Sequence, residues 1–304
     1  MALALAGAAL WYLYGQWPAI MRVAGKVETR WSLVALSAAI VLITYAMLIE
    51  CWRLVLRELG GVLDLQRAAV IWLGSNLARY IPLSGWQLGV AATMAKRERV
   101  PVAVSTGGSL LLTLVNVLTG LGVFAVMAAT TPTLGHRGRL MLAIAVPGLI
   151  LARILLPRLG ALLARVTGRE IELPRIGPRA IAIAAVGTTV AWILYGIAFW
   201  VLAQAILPGP ARSLPACIAL YTGAYLAGVL AFVPPAGIGA AEFAMIQLAP
   251  QLGVFTGPEA ALLSLAVRAW RTVLEIVPGV IALAVASAAD RRRDDQPSRG
   301  SRIP

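Results

Sequence analysis

Histidine occurs once in this 304-residue chain, cysteine twice and acidic residues only thirteen times. Each scarcity removes a class of chemistry. His136 has no Cys, Asp or Glu beside it, so ligand spacing gives no metal site. Cys51 and Cys217 are too few for a disulfide framework and are expected to be free. Carboxylates paired for acid–base work are missing, and only Glu50, Glu242 and Glu275 lie in or at the edge of apolar stretches. There is no Gly-x-Ser-x-Gly elbow, no phosphate-binding loop and no dinucleotide fingerprint. The sequence implies no cofactor and no metal.

Charge as a whole is also scarce. Charged residues make up 13% of the chain, against about 25% in an ordinary soluble domain. What replaces them is apolar: 60% hydrophobic residues and a mean hydropathy of +0.84. A helix needs about 20 apolar residues to cross the hydrocarbon core of a bilayer. Met1–Trp17, Trp31–Ile49, Val102–Thr130, Leu140–Leu156, Ala180–Leu207 and Pro258–Ala289 meet or approach that length. Met1–Trp17 lacks a basic leader and a small-residue cleavage site, so it reads as a retained first span. The net charge of +13 does not point to nucleic acid, because the basic residues fall between spans, where they set orientation and meet lipid head groups.

Two further apolar stretches are interrupted. Gln66–Ala95 is broken by Arg79-Tyr80-Ile81-Pro82-Leu83-Ser84-Gly85, and Leu214–Leu248 by Phe232-Val233-Pro234-Pro235-Ala236-Gly237-Ile238-Gly239. Proline lacks an amide hydrogen and glycine weakens a helix, so each stretch is expected to form two half-helices. Irregular backbone at membrane depth is tolerated only where protein or water covers it, which reads as a re-entrant hairpin. With both hairpins returning to their own side and both termini inside, seventeen of the 26 basic residues fall inside and six outside. The cluster Arg22–Arg30 is the dissenting outside loop.

The two breaks resemble each other. Tyr80-Ile81-Pro82-x-x-Gly85 aligns with Phe232-Val233-Pro234-x-x-Gly237, and the same offset superposes the flanking spans. The expected fold is therefore an all-α polytopic membrane protein, with about six full spans and two broken hairpins. It is organised as an inverted repeat of span, re-entrant hairpin and span. Residues 1–289 form one transmembrane domain, with repeat 1 at about 31–130 and repeat 2 at about 180–289, and 290–304 form a disordered cytoplasmic tail.

Ionisable groups inside a span are costly and usually face a partner or a cavity. Arg268, Arg271 and Glu275 share one helix face through their i, i+3 and i+7 spacing. They read either as an Arg271–Glu275 pair that neutralises itself, or as a cationic wall for a lipid phosphate. Glu242 opens the second half-helix of its hairpin, as a capping residue or as a partner for Arg268, Arg271 or Arg79. Arg79, with Asn76 one turn earlier, precedes the first break, and Gln87 follows it beside Trp86. These residues form the candidate substrate site. Pro82, Gly85, Pro234, Pro235, Gly237 and Gly239 are the structural breaks.

The segment Pro234-Pro235-Ala236-Gly237-Ile238-Gly239-Ala240-Ala241-Glu242 is similar to the proline, glycine-rich turn and glutamate of the lysylphosphatidylglycerol synthase transmembrane-region family, a flippase-like family. Arg271 with Pro278-Gly279 resembles its late Arg–Pro pattern. Asn76, Tyr80-Ile81-Pro82 and Gly85 resemble its first-half signature, with Arg99 at the basic end of that segment. The resemblance covers most of Trp31–Ala289. Where the family carries an acidic residue and then an arginine, this chain has Gln87 and Val90.

The chain ends at Pro304, so the resemblance implies the membrane half without the soluble aminoacyl-transfer domain. It implies a flippase-like protein of the bacterial inner membrane, translocating an anionic phospholipid or a lipid-linked precursor. Its partners would be membrane lipids, with a homo-oligomer or an envelope-biosynthesis partner compatible. Two alternatives stand beside it. One is a membrane enzyme acting on a lipid phosphate, for which only Glu58 and Asp64 offer a base. The other is a non-catalytic subunit of a cell-envelope complex.

Overall fold

The computed structural model describes residues 14–15, 17–25, 27–80, 86–130, 146–148, 151, 154, 158, 174–209, 212–230 and 239–294. Every regular element among them is helical. Four helices are long and apolar enough to cross a membrane: α2 (Trp31–Glu58), α5 (Val102–Ala128), α6 (Pro178–Ile206) and α9 (Gly257–Asp294). The shorter helices are α1 (Trp17–Ala24), α3 (Leu65–Leu77, followed by a 3₁₀ turn at Ala78–Tyr80), α4 (Trp86–Arg97), α7 (Leu214–Leu230) and α8 (Ala240–Gln251). Most of the expected spans Met1–Trp17 and Leu140–Leu156 lies outside the described residues. So do Pro82, Gly85, Pro234, Pro235 and Gly237.

The helix limits follow local chemistry. No glycine or proline interrupts 31–58, so α2 runs nine residues past the apolar stretch that ends at Ile49. Its extension carries a Glu50–Arg53 pair at 2.7 Å and stops at Gly60, where φ is +87°. The Asp64 carboxylate then caps α3 by accepting from the Arg67 N–H at 2.8 Å. Helix α6 begins with Pro178 in its first turn, where the missing N–H is harmless. Helix α9 continues over 290–294, which the sequence pattern assigns to the polar tail, because no helix breaker occurs before Pro297.

Side-chain contacts fix the helix directions. Helices α2 and α6 pack side by side and antiparallel. The Arg30 N–H donates to Ala205 O at 2.9 Å, Ser37 Oγ to Ala198 O at 2.6 Å, and Cys51 Sγ meets Ile183 O at 3.5 Å. The Arg30 guanidinium also donates to the Gln204 carbonyl near the C-terminus of α6. Arg30 belongs to the dissenting basic loop, so part of that charge serves a helix end. Helices α2 and α5 are also antiparallel: Trp52 Nε1 donates to Ser109 Oγ at 3.2 Å, and Gly61 lies against Val104. Helices α5 and α6 consequently run in the same direction, joined by the Thr119 and Thr188 hydroxyls at 2.9 Å.

The remaining contacts repeat in pairs. Helix α5 packs on α7, where Gly223 faces Phe124, and α9 packs on α3, where Gly279 faces Leu77. The end of α4 returns to the start of α3, with Arg67 Nη1 2.9 Å from Glu98 Oε1. Arg212, just before α7, bridges Glu259 in the first turn of α9 at 3.3 Å. Outward, α9 exposes Val273, Val277, Val280 and Ile281. A stripe of that kind is unfavourable in water and satisfied in lipid. Cys51 and Cys217 are free and buried.

Candidate functional site

Helix α9 carries three ionisable groups into the interior and meets a different partner with each. Arg268 bridges Glu242, its Nε donating to Glu242 Oε1 at 2.5 Å. Glu242 reaches that position because it sits in the first turn of α8, where its other oxygen accepts from the Gly239 N–H at 2.7 Å. Gly239 has φ +88°, a conformation that side chains rarely adopt, and it aims this N–H back at the carboxylate. Glu242 is therefore both the cap and the counter-ion, two roles that the sequence left as alternatives.

One turn further along α9, Arg271 Nη2 lies 3.0 Å from Glu275 Oε1. The Glu275 side chain is only 6% exposed. Its second oxygen accepts from the Tyr80 hydroxyl at 2.6 Å, which links α9 to the 3₁₀ turn at the end of α3. The Arg271 guanidinium also stacks on the Tyr225 ring of α7, 4.7 Å from its centroid. The expected cationic wall is thus a pair of salt bridges, each arginine facing a carboxylate. Charges this deep are tolerated because they are compensated.

The other candidates fall close by. Asn76, on the last turn of α3, is buried, and its Oδ1 accepts from Gln87 Nε2 at 2.5 Å. That bond ties the end of α3 to the start of α4. Arg79 lies in the 3₁₀ turn between Asn76 and that break. Asp64, one of the two carboxylates on which an enzymatic reading rested, is engaged in capping α3.

Two cavities meet here and share Tyr221, Tyr225, Arg271 and Glu275. The smaller, about 40 Å³, is a crevice along Glu242, Arg268 and Tyr80. The larger has about 410 Å³, within the range of small-molecule sites, and reaches Asn76 and Gln87. Among the described residues, its wall holds Trp52, Trp72, Trp192 and Trp270 together with Tyr45, Tyr195, Tyr221 and Tyr225. Six of these rings make a continuous chain of contacts. Trp72 meets Tyr45 at 5.5 Å between centroids, Tyr45 meets Tyr195 at 6.3 Å, and Tyr195 meets Tyr221 at 6.1 Å. Tyr221 meets Tyr225 at 6.4 Å, and Tyr225 meets Trp192 at 5.1 Å.

Sequence reasoning missed the tyrosine that holds Glu275 and the whole aromatic wall. The only available signal was compositional: four of the nine tryptophans and four of the seven tyrosines meet at this one place.

No protein-family model matches this chain, and no curated protein matches it.

Proposed function

We propose that this chain is a flippase-like membrane protein that moves an anionic phospholipid or a lipid-linked precursor across the cell membrane. The observation that carries the reading is the 410 Å³ cavity lined by the four long apolar helices together with α3, α4 and α7, with the Arg271–Glu275 pair in its wall. A head group in such a cavity exchanges water for fixed hydrogen-bonding partners while its acyl chains stay in lipid. That exchange is the physical requirement for crossing the hydrocarbon core.

The helix arrangement supports the inverted-repeat plan. The two first spans, α2 and α6, run antiparallel, and the pairs α5–α7 and α9–α3 correspond under the repeat. Helices α3, α4, α7 and α8 have 13, 12, 17 and 12 residues, short of the roughly 20 that a full crossing needs. Half-helices meeting at a charged site are the plan of many secondary transporters. The motif from Pro234 to Glu242 agrees with the flippase-like family it resembles. In this arrangement both termini are cytoplasmic, and the membrane is the bacterial inner membrane.

The test is reconstitution in liposomes carrying fluorescent phosphatidylglycerol, with outer-leaflet fluorescence quenched by dithionite. The protein should raise the rate of lipid exchange above that of protein-free vesicles, and Arg271→Ala and Glu242→Ala should each lower it. A parent protein that leaves both this rate and that of a fluorescent lipid-linked precursor unchanged refutes the transport reading. Variants as fast as the parent refute the site assignment alone.

A further inference from the structure

The contents of the large cavity say more about its occupant than the ion pairs do. We propose that it binds the glycosyl part of a lipid head group, an inference that rests on the lipid-translocator reading and narrows its substrate class.

Three observations lead to this class. The first is charge. Arg271 and Glu275 are the only charged side chains among the described residues of the wall, and they face each other at 3.0 Å. Arg268 in the adjoining crevice faces Glu242. A bare phosphate is held by cations or by several backbone donors, and here the arginines already have carboxylates beside them.

The second is the aromatic chain from Trp72 to Trp192. Ring faces are electron-rich, and they attract C–H groups made electropositive by neighbouring oxygens. One face of a pyranose ring presents just such a patch of C–H groups.

The third is the supply of two-way hydrogen-bonding groups. Asn116 lends its backbone oxygen to Trp192 Nε1 at 2.9 Å, and its side-chain amide has no partner among the described residues. The Tyr195 and Tyr225 hydroxyls in the same wall also have none. Amides and hydroxyls both donate and accept, as sugar hydroxyls do. An acyl chain would leave these groups unsatisfied, which is unfavourable for buried polar atoms. A sugar is the lipid-borne group that satisfies apolar faces and amphoteric polar groups at once.

The experiment compares two fluorescent lipids with the same acyl chains, glucosyl diacylglycerol and phosphatidylglycerol, in vesicles containing the full chain. Quenching of intrinsic tryptophan fluorescence by methyl glucoside serves as a separate binding readout. Glucosyl diacylglycerol should exchange about tenfold faster than phosphatidylglycerol, the discrimination expected from one or two hydrogen bonds. Asn116→Leu should bring that ratio close to one, and Asn116→Gln, which keeps the amide, should restore part of it. Each variant is first shown to elute as the parent does. Equal rates for the two lipids, with no fluorescence response to the glucoside, overturn the glycosyl assignment and leave the transport reading standing. A glucoside response without exchange of either lipid supports the site and refutes transport.

Discussion

Tyr80 donates its hydroxyl to Glu275 at 2.6 Å, joining groups 195 positions apart in the chain. This bond fastens the 3₁₀ turn after α3 to an α9 carboxylate that is only 6% exposed. It ties α3 to α9 beside the cavity.

Tyr80→Phe should remove that bond and with it one donor to the Glu275 carboxylate. A hydrogen bond to a charged group contributes about 1.5–3 kcal/mol. Thermal unfolding of the purified protein, followed by tryptophan fluorescence, should show a lower midpoint. An unchanged midpoint would mean that the hairpin is held by other contacts.

Breaking the Arg271–Glu275 pair from one side should be worse than removing it from both. Arg271→Met or Glu275→Leu alone strands a buried charge, at a cost of about 3–5 kcal/mol. The double variant Arg271→Met/Glu275→Leu should regain much of that stability while its lipid exchange stays low. If the double variant is as unstable as the worse single one, the pair is not the source of the loss.

Glu242→Ala should be more harmful than loss of a cap, because one side chain serves both the Gly239 N–H and Arg268. Loss of a cap costs about 1 kcal/mol, and the stranded Arg268 adds to it. Arg268→Met in the same chain should recover the second part and leave the first. The comparison of the three unfolding midpoints separates the two roles.

Gly239→Ala places a side chain where φ is +88°. The strain of a non-glycine residue in so sparsely populated a region is about 1–3 kcal/mol. The expected consequence is a lower unfolding midpoint together with slower exchange, since the displaced turn carries Glu242 away from Arg268. Equal midpoints would show that the turn adapts.

The four long helices were legible because composition alone marks a span: α5 and α6 begin and end within two residues of their apolar runs. The end of α2 was not, because hydropathy falls at Glu50 while helix propensity continues to Glu58. Within the site, the Arg271–Glu275 pair could be read from its i, i+4 spacing, and Glu242 was already a stated partner for Arg268. The aromatic wall could not be foreseen. Tyr45, Trp72, Trp192 and Tyr225 stand on four different helices, and no local spacing relates them. Only the antiparallel packing of α2 against α6, with α3 against α2 and α7 against α6, brings those rings to one place.

The two native thiols lie sealed inside the bundle, Cys51 pressed against Gly187 and Cys217 fully covered within the cluster around Trp192 and Phe199. The unaltered chain is thus a silent background for maleimide labelling of intact membranes. A single cysteine introduced at a loop position would report its sidedness directly, with no need to strip the natural ones first.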